Sequence, residues 1–200
     1  MKTILSEFIA SMENIENNFY LSFLAVNFIN QKPFSIGVVL GGFLKNKVIT
    51  AQSLNLFDSK AVQEYGNSIR RHTLNDIVIA YEGYSTTMIV SQKNKGSRTD
   101  PCHIKDISKP AEFEKIKGIY SNDDIKFFEQ LRALRNSIVH YNGVYNKMNT
   151  LDYSFGTETY FSKDREGESI SIAFDNIIWI YKKLINIVQA GNNNYFLIYV

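Results

Sequence analysis

The stretch "LRALRNSIVHYNG", Leu131 to Gly143, places an arginine, an asparagine and a histidine close together at Arg135, Asn136 and His140. An imidazole, with an ordinary pKa of about 6.5, takes up and returns a proton near neutrality. A guanidinium holds a permanent charge in a planar fork of donors that suits phosphate. With an amide to orient either partner, these groups suffice for metal-free cleavage of RNA by its own 2′-hydroxyl. His140 would move the proton, Arg135 would neutralise the pentacoordinate phosphate, and Asn136 would orient the His or the substrate. The same residues also have a plain structural account: a cation in a last helical turn is favoured by the helix dipole, and Asn-Gly ends helices.

These side chains need an element to position them. Phe127, Leu131, Leu134 and Ile138 are spaced four, three and four apart, which predicts a helix that packs one stripe on the core, within about 40° of arc. Ser121, Asn122 or Asp123 can cap its start, and Asn142-Gly143 is a good stop signal. On the same wheel Arg135 lies about 60° from the stripe, Asn136 about 160° from it, and His140 about 40° beyond Asn136. Five residues separate Arg135 from His140 by about 140°, so the two do not naturally meet. A swung Arg side chain, a loosened helix end or a second copy of the helix can join them. The favoured solution is a homodimer, whose two antiparallel helices line one groove with two arginines and two histidines.

The rest of the chain reads as mainly helical. Leu5, Phe8, Ile9, Met12, Ile15, Phe19, Phe23 and Val26 mark one helix face before Pro33. Leu54 to about Ser91 predicts one or two helices with Ile69, Leu74, Ile77, Tyr81, Tyr84 and Met88 on a buried stripe. "FSIGVVLGGFLKNKVIT" is ambiguous between a short helix and strands. Residues 92–110 predict a long exposed loop, after which helix resumes near Ala111. Leu151, Tyr153 and Phe155, then Ile170, Ile172 and Phe174, alternate with polar residues around "KDREGE", which predicts a β-hairpin. Asp175 to Ala190 predicts a final helix ended by "GNNN".

Bulk composition narrows the function classes. The 200 residues, 44% hydrophobic and 21% charged, suit one globular domain, 1–200, and exclude a disordered chain. A net charge of +2 is too small to announce a nucleic-acid binder by itself, so an RNA role requires a local patch. The lone Cys102 excludes an internal disulfide and a Cys-rich zinc site and suits a reducing compartment, with the cytoplasm as the expectation. The longest apolar run near the N-terminus is too short to span a bilayer, so no export signal and no membrane anchor are expected.

"RNSIVH" resembles the R-x4-6-H motif of HEPN domains, including the polar residue that commonly follows the Arg. The resemblance is detailed from about Ile125 to Gly143 and looser elsewhere. It implies an all-α HEPN-like bundle, here with a small β-hairpin inserted before the last helix. It also implies a dimer and a metal-independent endoribonuclease of a prokaryotic toxin–antitoxin, abortive-infection or phage-defence system, without a cofactor or metal. An antitoxin or nucleotidyltransferase partner belongs to that setting. Some toxin members carry a modified Tyr two residues after the His; here that position is Asn142, with Tyr141 one residue early. The alternative within the same resemblance is a non-catalytic module that dimerises or binds RNA for a partner enzyme.

Other residues are subsidiary. Arg70 and Arg71, with Lys93, Lys95 and Arg98 of the polar stretch, can track an RNA backbone, although a solvated helix start and a solvated loop account for them better. Glu82 can pair with Arg135 as an orienting acid. Cys102-His103 lacks the further ligands a zinc site needs, and the glycines of "GVVLGGFLKNK" lack a phosphate-loop pattern. The tail "YFLIYV" reads as an apolar end suited to a partner or dimer surface.

Overall fold

The computed structural model describes residues 2–31, 38–40, 47–49, 59–96, 120–145, 152–161 and 166–199. These residues are mainly helical. The helices are α1 (Lys2–Gln31), α2 (Ser59–Gly96), α3 (Asn122–His140) and α4 (Phe174–Tyr199). Two antiparallel strand pairs accompany them: β1 (Val38–Leu40) with β2 (Lys47–Ile49), and β3 (Asp152–Phe155) with β4 (Glu158–Phe161). The ambiguous segment after α1 therefore contributes strands, as its β-branched residues favour.

The apolar stripes read from the sequence form the shared core. Phe8, Met12 and Phe19 of α1, Leu74, Ile77, Tyr81 and Tyr84 of α2, and Phe127, Leu131 and Leu134 of α3 are all buried. Ring contacts show how the helices run. Phe8 meets Tyr84 at 5.0 Å while Arg70 lies over Phe23, so α1 and α2 are antiparallel. Tyr81 stacks on Phe128 at 4.4 Å while Arg71 meets Gly143, so α2 and α3 are antiparallel as well. Phe127 contacts Trp179, and Tyr120 abuts Gly191, which reverses direction again between α3 and α4. Phe19 and Phe23 close the set by packing on Phe174. This is an up-down-up-down arrangement, which short-range hydrophobic stripes on successive helices naturally build.

Three boundaries differ from the sequence reading. First, the β-hairpin turns at Gly156-Thr157, with Phe155 opposite Glu158, and not at "KDREGE". A two-residue Gly-x loop matches strand twist better than a long polar one. Ile170 and Ile172 are fully buried, and the chain around Ile170 pairs instead with the end of α3. Ile170 N donates to Gly143 O at 2.6 Å, and Tyr145 N donates to Glu168 O at 2.9 Å. Second, α4 does not stop at "GNNN" but runs through it to Tyr199. Gly191 is needed there because a Cβ would run into the Tyr120 ring, so this glycine permits close packing inside the helix. Third, α2 continues to Gly96, so residues 92–96 of the expected loop are helical. The rest of that loop, with Arg98 and Cys102-His103, and the helix expected near Ala111 lie outside the described residues.

Candidate functional site

Helix α3 is held at both ends. At its start the Ser121 Oγ accepts from Asp124 N at 3.2 Å, and Ser121 N donates back to the Asp124 carboxylate at 3.2 Å. This capping box satisfies two backbone donors that a helix start leaves open. At its end Tyr141 is the cap, Asn142 has φ 53° and Gly143 φ 70°. Gly143 N donates to both Ser137 O and Ile138 O at 3.1 Å, the bonding that a left-handed terminal residue allows.

A second helix secures this terminus. Arg71 of α2 donates from Nε and Nη2 to Ile170 O, at 3.1 and 2.7 Å, and from Nη2 to Ser169 Oγ at 2.7 Å and Gly143 O at 3.3 Å. The guanidinium thus binds the turn after α3 to the chain entering α4. Burial lowers the Arg71 pKa from its ordinary 12.5, which leaves an arginine charged at neutral pH. A contact from Arg71 to an RNA phosphate competes with these bonds. Its neighbour Arg70 lies 5.9 Å from the Phe23 ring centre, over α1. Lys93 and Lys95 fall on the last turns of α2.

One helical turn beyond Arg71, Asn75 receives the residue of greatest chemical interest. Arg135 Nε donates to Asn75 Oδ1 at 3.1 Å, and Arg135 Nη1 donates to Asn136 Oδ1 at 3.1 Å. Arg135 and Asn136 are half-buried, whereas His140 at the last position of α3 is exposed. The structure therefore joins Arg135 to Asn136, and joins neither Arg135 bond to His140. The partner on α2 is Asn75, two turns before Glu82. A neutral amide orients the guanidinium without cancelling its charge, which leaves that charge available to an anion.

Sequence reasoning missed Asn75 and the role of Arg71. Their signal was present: Asn67, Arg71 and Asn75 recur at every fourth residue beside the apolar stripe of α2. Asn67 Nδ2 also reaches Ile170 O, at 3.5 Å. Among the described residues no three His, Cys, Asp or Glu side chains gather in a group that could hold a metal ion, and no helix is long and apolar enough to cross a membrane.

Comparison with known proteins finds no match to this chain among family models, characterised proteins or solved structures.

Proposed function

We propose that this chain is a HEPN-like, metal-independent endoribonuclease that acts as a homodimer in a prokaryotic toxin–antitoxin or phage-defence setting. The observation that supports this reading most is the state of Arg135. Its guanidinium is aimed by two neutral amides, Asn75 and Asn136, on the helix that ends in the exposed His140. Arg71, by contrast, donates to two backbone carbonyls and the Ser169 hydroxyl in a distant part of the chain and so ties the fold together.

In this reading Arg135 binds the scissile phosphate and steadies the extra negative charge of its pentacoordinate state. His140 takes the proton from the 2′-hydroxyl or delivers one to the leaving 5′-oxygen, a task suited to an imidazole that water can reach. Asn136 holds the guanidinium. Because α3 keeps Arg135 and His140 about 140° apart, each active centre takes its arginine from one copy and its histidine from the other.

The test is RNA cleavage by purified wild-type protein in EDTA, with His140→Ala and Arg135→Ala as separate variants. Each variant alone should be inactive. An equimolar mixture of the two should regain activity, since a mixed dimer contains one centre with both groups. Intact RNA with wild type would favour the reading of a non-catalytic dimerising or RNA-binding module. Activity in wild type but none in the mixture would place both groups in one copy.

A further inference from the structure

A second polar site lies on a neighbouring flank of α2. Helices α1 and α2 enclose an open cleft of about 290 Å³, whose floor includes Phe19 and whose polar lining includes Asn18, Ser68, His72 and Asp76, with Tyr65 also on its wall. This is close to the lower end of small-ligand clefts, about 300 Å³. Tyr65 is 53% exposed, and His72 and Asp76 are exposed as well, so the cleft opens outward.

We infer that this cleft receives an unpaired guanine base of single-stranded RNA, with Asp76 accepting from its Watson–Crick edge and Tyr65 stacking on its face. The inference rests on the proposal that the chain acts on RNA. Three observations carry it. Unstacked bases are taken up between aromatic faces and read along their hydrogen-bonding edges, which calls for an exposed ring beside polar groups in a small cleft. Tyr65, Asp76 and Asn18 supply these. The carboxylate then selects among bases. Only guanine offers two adjacent donors, N1–H and the exocyclic amine, to one carboxylate, whereas adenine and cytosine each set a ring-nitrogen acceptor beside their donor and uracil flanks its donor with carbonyls. Finally, Asp76 directly follows Asn75, the residue that holds Arg135. Consecutive residues lie about 100° apart on a helix, so the cleft and the proposed phosphate site occupy neighbouring flanks of α2 and lie within reach of a short run of nucleotides.

Burial raises the Asp76 carboxyl above its ordinary 3.8, and the charge of His72 works in the opposite direction. Such a partly desolvated carboxylate gains from a ligand that brings its own donors. His72 stands one turn before it on the same face and can bond the remaining acceptors of the base.

The experiment is an NMR titration of the full chain with guanosine, adenosine, cytidine and uridine 5′-monophosphates in turn. Guanosine monophosphate should bind at least tenfold more tightly than the others and should shift amide signals of Tyr65, Ser68, His72 and Asp76. Asp76→Asn should abolish the preference, and Tyr65→Ala should weaken binding of all four nucleotides by about fivefold or more. Equal binding of the four, or shifts confined to other residues, overturns the inference and needs no variant to do so. His140-dependent RNA cleavage without guanine selectivity would remove this inference and leave the nuclease reading intact. Guanine-selective binding by a chain that leaves RNA whole would do the reverse.

Discussion

In the proposed reading Arg135 is structural and chemical at once. Its two hydrogen bonds go to amide oxygens, and each is the kind of bond that contributes roughly 1.5–3 kcal/mol when one partner is charged. Replacement of Arg135 by Lys keeps the charge but loses the planar fork that reaches Asn75 and Asn136 together. Arg135→Lys should therefore lower RNA cleavage by about a hundredfold, as measured by kcat on a defined oligonucleotide. Asn75→Ala should lower it less, about tenfold, because the guanidinium remains but is no longer aimed. His140 is exposed at a helix end, and exposed positions tolerate change within about 0.5 kcal/mol. His140→Ala should leave the melting temperature unchanged while it removes cleavage, and a clear fall in Tm would show that His140 supports the fold instead.

Helix α3 is fixed at its two ends as well as along its buried stripe. Its start was legible in "SNDD", where Ser121, Asn122 or Asp123 could cap, and the structure makes Ser121 the cap with Asp124 returning the bond. Its C-terminus was legible in Asn142-Gly143, but not the reason that glycine is required. Gly143 has φ 70°, and a Cβ there would stand 2.5 Å from the Arg71 guanidinium carbon. Gly143→Ala should cost about 1–3 kcal/mol through backbone strain alone, with displacement of Arg71 in addition. For a chain of this size each kcal/mol corresponds to roughly 2–4 °C, so calorimetry should register a fall of at least several degrees. The same variant should cleave RNA more slowly, because the turn after His140 moves with Arg71. The paired expectation for Gly191 on α4 is a loss of stability with no effect on cleavage, because Tyr120 lies at the opposite end of α3.

At the scale of the whole molecule, the core holds hydroxyls that titrate late. Tyr84 is buried and its hydroxyl has no hydrogen-bond partner among the described residues; burial pushes its pKa from 10.0 to about 12. The folded chain therefore keeps this proton where the unfolded chain has released it. That contribution to stability is complete below pH 10 and is lost as pH rises through about 12. Tyr81 shifts in the same direction for the same reason. Urea unfolding at pH 8, 10 and 11.5 should show stability falling across the upper interval. Tyr84→Phe should flatten that fall, and at pH 8 it should be neutral or slightly stabilising, because it removes a hydroxyl that is buried without a partner.

Much of the bundle was legible in the chain because helix periodicity is a local property. The three-and-four spacing of Phe8 to Phe23, of Leu74 to Tyr84 and of Phe127 to Ile138 marks which face of each helix leaves water, whatever its neighbours are. Strand pairing is not local, and there the sequence misled: Ile170 alternates like a partner of Phe155, yet it joins Gly143. The choice between those partners depends on turn closure and on Arg71, which arrives from a distant part of the chain. The candidate site divides in the same way. Arg135, Asn136 and His140 stood out by residue type and spacing, because proton transfer and phosphate binding require those groups. The tertiary structure alone decided that Asn75 aims the arginine and that Arg71 anchors the helix end, since both depend on α2 lying antiparallel beside α3, a contact between segments some sixty residues apart.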